Sequence, residues 1–110
     1  MGKFVVSKRF NGTYQFNLKA GNGQIILSSE GYTQKSSCLR GIESVIRNSK
    51  IDDNFERRTS TNGKFYFNLK AEHGQIIGTS ELYESSSARE NGIQSVKVNA
   101  PNSPIDDFTS

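Results

Sequence analysis

At 110 residues the chain holds one domain's worth of polymer, and an apolar fraction of 33%, with seven Phe and no Trp, supplies one modest core. Fourteen basic and eleven acidic residues leave a net charge of +3 scattered along the sequence, and Cys38 is the only cysteine. These numbers exclude a deep cofactor pocket, a disulfide framework, a multi-cysteine metal site and a membrane span, which needs ~20 apolar residues. With no apolar leader in Met1–Phe10, a cytoplasmic domain is the expectation.

The stretch Lys3–Phe10 alternates in period two, with Phe4, Val6 and Phe10 on one side and Ser7 and Arg9 on the other, which predicts a strand. Asn11-Gly12 follows, the dipeptide suited to a type I′ hairpin. Next, Tyr14, Phe16, Leu18 and Ala20 are predicted inward, with Gln15, Asn17 and Lys19 outward. Gly21-Asn22-Gly23 makes a second turn and Gln24–Glu30 a third strand, completing a meander with one apolar face. From Thr33 to Asn48 the period becomes 3.6, with Leu39, Ile42 and Val45–Ile46 on one helical stripe. Thr33 or a nearby Ser is the predicted N-cap, and a short extended segment follows at Ile51.

The pattern then recurs. Asn11–Ser49 aligns without gaps on Asn62–Ala100 at an offset of 51, with twenty of 39 positions identical. Phe65, Phe67, Leu69 and Ala71 repeat the inward set, and Asn62-Gly63 and His73-Gly74 repeat the turns. A second helix runs from about Glu84 to Val98, capped by Ser85 and ended by Pro101 and Pro104. Gly41 and Gly92 occupy equivalent mid-helix positions, which marks close helix–sheet packing rather than flexibility. Ile51-Asp52-Asp53 reappears as Ile105-Asp106-Asp107, so the last segment of each unit is expected to pair with the other unit's strands.

The chain is thus read as a single α+β domain of two tandem repeats, about 1–53 and 54–110. They form one antiparallel sheet with both helices on one face, as an intramolecular pseudo-dimer. A unit of about 50 residues lies near the lower limit for independent folding, so each completes the other's core.

The doubled motif N-G-x-[YF]-x-F-N-L-K-A-x-x-G-Q-I-I, followed by S-E-x-Y and G-I-x-S-V, closely resembles the YegP-like tandem-repeat family over nearly the whole chain. The resemblance implies two β(3)αβ repeats with exchanged terminal strands, and a bacterial, cytoplasmic origin. It implies no activity, because the family has no assigned biochemical function and no catalytic residues to carry over.

No phosphate-cradling loop, Gly-x-Ser-x-Gly or His-Glu-x-x-His motif is present. His73 answers to Asn22 in a His/Asn-Gly turn and is read as a turn residue that tolerates positive φ, not as a general base. Cys38 answers to Arg89 and is read as an incidental thiol on a helix flank. Asp52-Asp53 and Asp106-Asp107 are poor chelates, since neighbours on a strand point to opposite faces, and are read as solvated edge guards. Glu30 with Tyr32 and Glu81 with Tyr83 hint at carboxylate–phenol pairs, although the tyrosines are better read as closing the end of the core.

The outward sheet face is the candidate binding surface, through Asn17, Lys19, Tyr66, Asn68 and Lys70, for an extended or two-fold-symmetric ligand. The leading reading is a non-enzymatic binding or structural module: a monomer with internal pseudo-symmetry, no cofactor, no metal and no membrane contact, its partner unknown. The first alternative is weak, salt-dependent nucleic-acid binding through Lys19, Lys70, Arg57 and Arg58, with Lys8 and Arg9 nearby. The second is a small enzyme using His73 or Cys38.

Overall fold

The structure is a computed structural model that describes residues 2–109. In chain order it comprises β1 (Lys3–Lys8), β2 (Tyr14–Lys19), β3 (Ile25–Ser28), α1 (Lys35–Asn48), β4 (Phe55–Thr59), β5 (Phe65–Lys70), β6 (Ile76–Thr79), α2 (Ser86–Asn99) and β7 (Ile105–Asp107). One seven-stranded sheet runs in the order β4-β5-β6-β3-β2-β1-β7. The two meanders therefore meet at β3 and β6, which pair antiparallel at Ser28 and Thr79.

Each hairpin turn follows one recipe. The Gly12 amide donates to the Arg9 carbonyl at 2.9 Å, and the Arg9 amide donates to the Thr13 carbonyl. Among the described residues only the glycines Gly12, Gly23, Gly63 and Gly74 take positive φ, between 83° and 89°. This is a three-residue loop with glycine in the left-handed position, not the expected type I′ turn, which needs two such residues. Phe10 consequently sits on the turn and is fully exposed rather than inward. The Asn before glycine contributes through its side chain: Asn11 Oδ1 accepts from the Thr13 amide at 3.1 Å, and Asn22 Oδ1 from the Gln24 amide at 3.0 Å.

The inward set packs as expected, with Phe4, Phe16 and Leu18 fully buried in the first repeat, and Phe67 and Leu69 in the second. Phe4 meets Phe16 edge-on at 6.0 Å, and their equivalents Phe55 and Phe67 meet at 5.7 Å. Helix α1 lies over β2 and reaches across to β5 and β6, while α2 lies over β5 and reaches across to β3. Each helix thus seals a core that belongs partly to the other repeat. Helix α2 is capped by Ser85, whose Oγ accepts from the Ala88 amide at 3.1 Å. Helix α1 instead starts at Gln34, with no side-chain cap.

Gly41 and Gly92 are explained by aromatic contact. A Cβ on Gly41 would lie 2.5 Å from the Tyr32 hydroxyl, and one on Gly92 would lie 2.7 Å from Cζ of Tyr83. Tyr32 and Tyr83 are held in place by isolated bridges to Tyr14 and Phe65. The close packing inferred from sequence is therefore real, but its agent is a tyrosine at the end of the core.

The terminal strands depart from two-fold symmetry. Strand β7 pairs with β1 in parallel, Ile105 opposite Phe4 and Asp107 opposite Val6, so the sheet is mixed rather than wholly antiparallel. The equivalent Ile51-Asp52-Asp53 pairs with no strand; Asp52–Asn54 forms a single 3-10 turn leading straight into β4. A parallel partner requires a crossover of about a dozen residues, and here only Asn54 separates Ile51-Asp52-Asp53 from β4. Only one terminal strand is exchanged, and β4 remains an open edge.

The sequence adjusts to that difference. Val6 and Cys38 are fully buried near β7, and their equivalents on the open side are Arg57 and Arg89. Leu39 likewise becomes Glu90, which takes Arg57 in a two-pronged pair at 2.9–3.0 Å.

Gly92→Ala should destabilise the protein by about 1–2 kcal/mol in urea unfolding, because displacing the anchored ring outweighs the ~1 kcal/mol helical gain of alanine. Tyr83→Phe in the Gly92→Ala background should recover part of the loss.

Candidate functional site

The face opposite the helices carries a row of side chains in register across six strands: Val5, Asn17, Ser28, Thr79, Asn68 and Glu56. Period-two alternation places them there, because Phe4, Phe16, Leu18, Leu27, Phe67 and Leu69 take the helix side. The pseudo-dyad passes between Ser28 and Thr79, so Asn17 and Asn68 are equivalent, as are Lys19 and Lys70.

The two halves of this face are not electrostatically equal. In the second repeat Thr79 Oγ1 donates to Asn68 Oδ1 at 2.8 Å, and Asn68 Nδ2 donates to Glu56 Oε1 at 3.1 Å. Lys70 Nζ lies 2.9 Å from the other Glu56 oxygen, with Arg58 at 3.6 Å. The bonds from Asn68 and Lys70 hold the Glu56 carboxyl below the usual range, so the whole group is a closed network at neutral pH. In the first repeat Val5 stands where Glu56 would be, and the side chains of Asn17 and Lys19 have no hydrogen-bond or ion-pair partner among the described residues. Tyr66 is half-buried opposite Arg58. The sequence reading missed Glu56 as the quenching group, although the change from Val5 to Glu56 at the repeat offset is visible in the sequence.

The basic residues named for a nucleic-acid surface are mostly engaged. Arg57 binds Glu90 and Asp52, Arg58 approaches Glu56, Lys70 binds Glu56, and Arg9 donates to Gln15 Oε1 and the Ser29 carbonyl, which leaves Lys19 and Lys8, the latter over the Tyr14 ring. The face bears no row of stacking aromatics.

The remaining candidates take local roles. His73 is exposed in its turn, with Nε2 2.9 Å from Gln75 Oε1, and its φ is not positive. Cys38 is buried rather than on a flank, and burial, with Asp107 nearby, pushes its thiol up to about 11. Tyr32 and Tyr83 make no hydrogen bond to Glu30 or Glu81, and burial raises both phenols. In the same blocks Ser29 and Ser80 are structural: their hydroxyls accept from the Phe16 and Phe67 amides at 2.9 and 3.0 Å and donate to the next carbonyl.

The acidic pairs are not free edge guards. Asp52 lies in a turn, bound to Lys97 at 2.6 Å and Arg57 at 3.3 Å. Asp106 and Asp107 do lie on the edge strand β7, and bind Lys3 at 3.4 Å and Lys35 at 2.5 Å. No group of three or more His, Cys, Asp or Glu side chains is placed to hold a metal ion among the described residues. Two shallow clefts, of about 230 Å³ beside Gly2 and Asn99 and about 180 Å³ between Asn22 and Asn91, fall below the ~300 Å³ of ordinary small-molecule sites. No helix among the described residues is long and apolar enough to cross a membrane.

The profile described as "Domain of unknown function (DUF1508)" matches twice, at residues 11–56 and 60–107. The chain belongs to this family. It is 49% identical to the UPF0339 protein YegP of Escherichia coli (strain K12) over 108 residues, covering 98% of each chain. A UPF0339 protein of Shewanella oneidensis is 50% identical over 98% of each chain. The solution NMR structure of a Shewanella oneidensis UPF0339 protein superposes with a TM-score of 0.92, covering 97% of this chain and 91% of that one. That of E. coli yegP, a protein of unknown function, superposes at 0.93 with 48% identity, covering 97% and 92%. The α+β fold of two repeats is therefore the fold of this family, whose members are uncharacterised.

Lys35 and Thr109 hold the Asp107 carboxyl well below the usual carboxylate range. Because the folded value is depressed below the unfolded ~3.9, this contribution is present above about pH 4 and lost as pH falls below it. Asp107→Asn should lower stability at pH 7 and make the decline from pH 5 to pH 2 shallower, as read by urea midpoints across that range.

Proposed function

We propose that the protein is a non-enzymatic binding or structural module that recognises its partner through the uncovered sheet face, centred on Asn17 and Lys19. The single observation that carries this reading is the difference between the halves: Asn68 and Lys70 are committed to Glu56, whereas Asn17 and Lys19 keep amide and ammonium groups free of any partner. Lys3 lies directly across the strands from Lys19 but is paired with Asp106, so the free cation of this half is Lys19, which with Asn17 favours a ligand with an anionic group and an amide-pairing edge. An amide contributes both a donor and an acceptor, and a lysine contributes a mobile positive charge. An open face of this kind suits an extended ligand, held by a few direct contacts rather than by enclosure. In this reading the chain acts as a cytoplasmic monomer and binds one ligand, because the second half is self-satisfied.

Amide chemical-shift titration with a panel of small carboxylates, phosphates and single-stranded oligonucleotides tests this. Binding should perturb Gln15, Asn17, Lys19 and Ser28, and Lys19→Glu should weaken it at least tenfold. Glu56→Val should release Asn68 and Lys70 and open a second, weaker site. Perturbations centred elsewhere, or turnover of any panel compound, would overturn the proposal.

A further inference from the structure

The internal repeat supplies a comparison between a sheet edge that is occupied and one that is not. At the occupied edge, the Phe4 amide donates to the Pro104 carbonyl at 2.9 Å, and the Phe108 amide donates to the Val6 carbonyl at 3.0 Å. The docked segment is acidic: Asp107 lies opposite Val6 and pairs with Lys35 at 2.5 Å.

At the other edge the Phe55 amide, equivalent to that of Phe4, already donates to the Asp52 carbonyl, but the backbone of β4 beyond it has no strand to meet it. The amides of Phe65 and Phe67 and the hydroxyl and carbonyl groups they bind lie on the β6 side, so in the antiparallel ladder the backbones of Arg57 and Thr59 face outward. The equivalent of buried Val6 is Arg57, and that of buried Cys38 is Arg89. Arg89 rests over the Phe65 ring and donates from Nη1 to the Arg58 carbonyl at 3.1 Å. Its Nε is buried and makes no hydrogen bond, although a Glu90 oxygen lies 3.4 Å away. Two ion-pair clusters flank this edge on opposite faces of the sheet: on the helix side Arg57, Arg89 and Lys97 face two carboxylates, Asp52 and Glu90, and on the other face Arg58 and Lys70 share Glu56.

We propose that the open edge of β4 is a docking site for an extended acidic segment of a partner protein, added as a parallel strand with one carboxylate toward Arg57 and Arg89. The chain's own tail cannot take this place, because it already lies on β1. The mode is strand addition: backbone hydrogen bonds from Arg57 and Thr59 give affinity, and the side chain opposite Arg57 gives selectivity. The neighbouring outward position of the guest lies against Glu56, so a neutral residue is favoured there. Charge on β4 then has two effects. It keeps other sheet edges from pairing unselectively, and it admits a strand whose charge completes the cluster.

The test uses the full chain, labelled with ¹⁵N, and two synthetic octapeptides that copy the docked tail with neutral and acidic variations, SPINDFTS and SPINNFTS. With SPINDFTS the amides of Arg57 and Thr59 should shift in a saturable way, and SPINNFTS should bind at least fivefold more weakly. Thr59→Pro removes one outward amide at an edge position that tolerates proline, and should weaken SPINDFTS while leaving the spectrum of β1–β3 unchanged. No shift up to several millimolar peptide, equal affinity for the two peptides, or shifts confined to β1 would overturn the proposal. So would concentration-dependent self-association through β4 without peptide, since the edge would then serve a second copy.

Discussion

At the joint between the repeats there is room for one leucine and not for two. Strands β3 and β6 meet around the pseudo-dyad at Ser28 and Thr79, and the preceding residues, Leu27 and Gly78, turn to the helix side. Leu27 is fully buried, and a Cβ on Gly78 would lie 2.7 Å from its side chain. Gly78 stands at the position equivalent to Leu27, so duplication has been followed by a large–small division of one shared space. Two identical halves could not make that division. The continuous sheet, the helices that cross onto the opposite repeat and the single core all depend on this contact.

The same loss of symmetry shapes the surface. Only the second repeat has chain enough after its helix to send a strand back, so β1 is covered and β4 is not. From that topological fact follow the replacements of Val6 by Arg57, Leu39 by Glu90 and Cys38 by Arg89. It also accounts for Glu56, which replaces the nearly buried Val5 and closes the Asn68–Lys70 half of the outer face. What began as two copies of one face has become one self-satisfied half and one with free polar groups. The binding surfaces proposed for this chain are consequences of where the sheet ends.

Much of the fold was legible in the sequence because repetition doubles each signal. The alternation of Phe16, Leu18, Phe67 and Leu69, the helical stripe through Ile42 and Val45, and the cap at Ser85 are local patterns, and all are present as read. Alternation carries no information on where a strand ends, so it points Phe10 inward although the turn takes that residue. The exchange of both terminal segments was inferred from identical tripeptides, but whether a tripeptide can pair depends on the connection available to it. The burial of Cys38 is not legible for the same reason, since it is a property of the exchanged strand side. At the candidate site, Asn17, Lys19, Asn68 and Lys70 were correctly placed on one face by period two. Their inequality was not, because it depends on a cross-strand neighbour, Glu56, twelve residues away in sequence.

The repeats are joined by one leucine filling a space shared by both, and a double-mutant cycle at the joint tests this most directly. Gly78→Leu alone should overpack the seam, at a cost of about 1–3 kcal/mol, and Leu27→Gly alone should leave a cavity costing about 2–5 kcal/mol. Combined, the two substitutions exchange the large and small partners across the pseudo-dyad. The double variant should unfold in urea as a single transition with part of the lost stability recovered, a coupling of about 1–3 kcal/mol. Strictly additive losses, or two separate transitions with one per repeat, would contradict the claim.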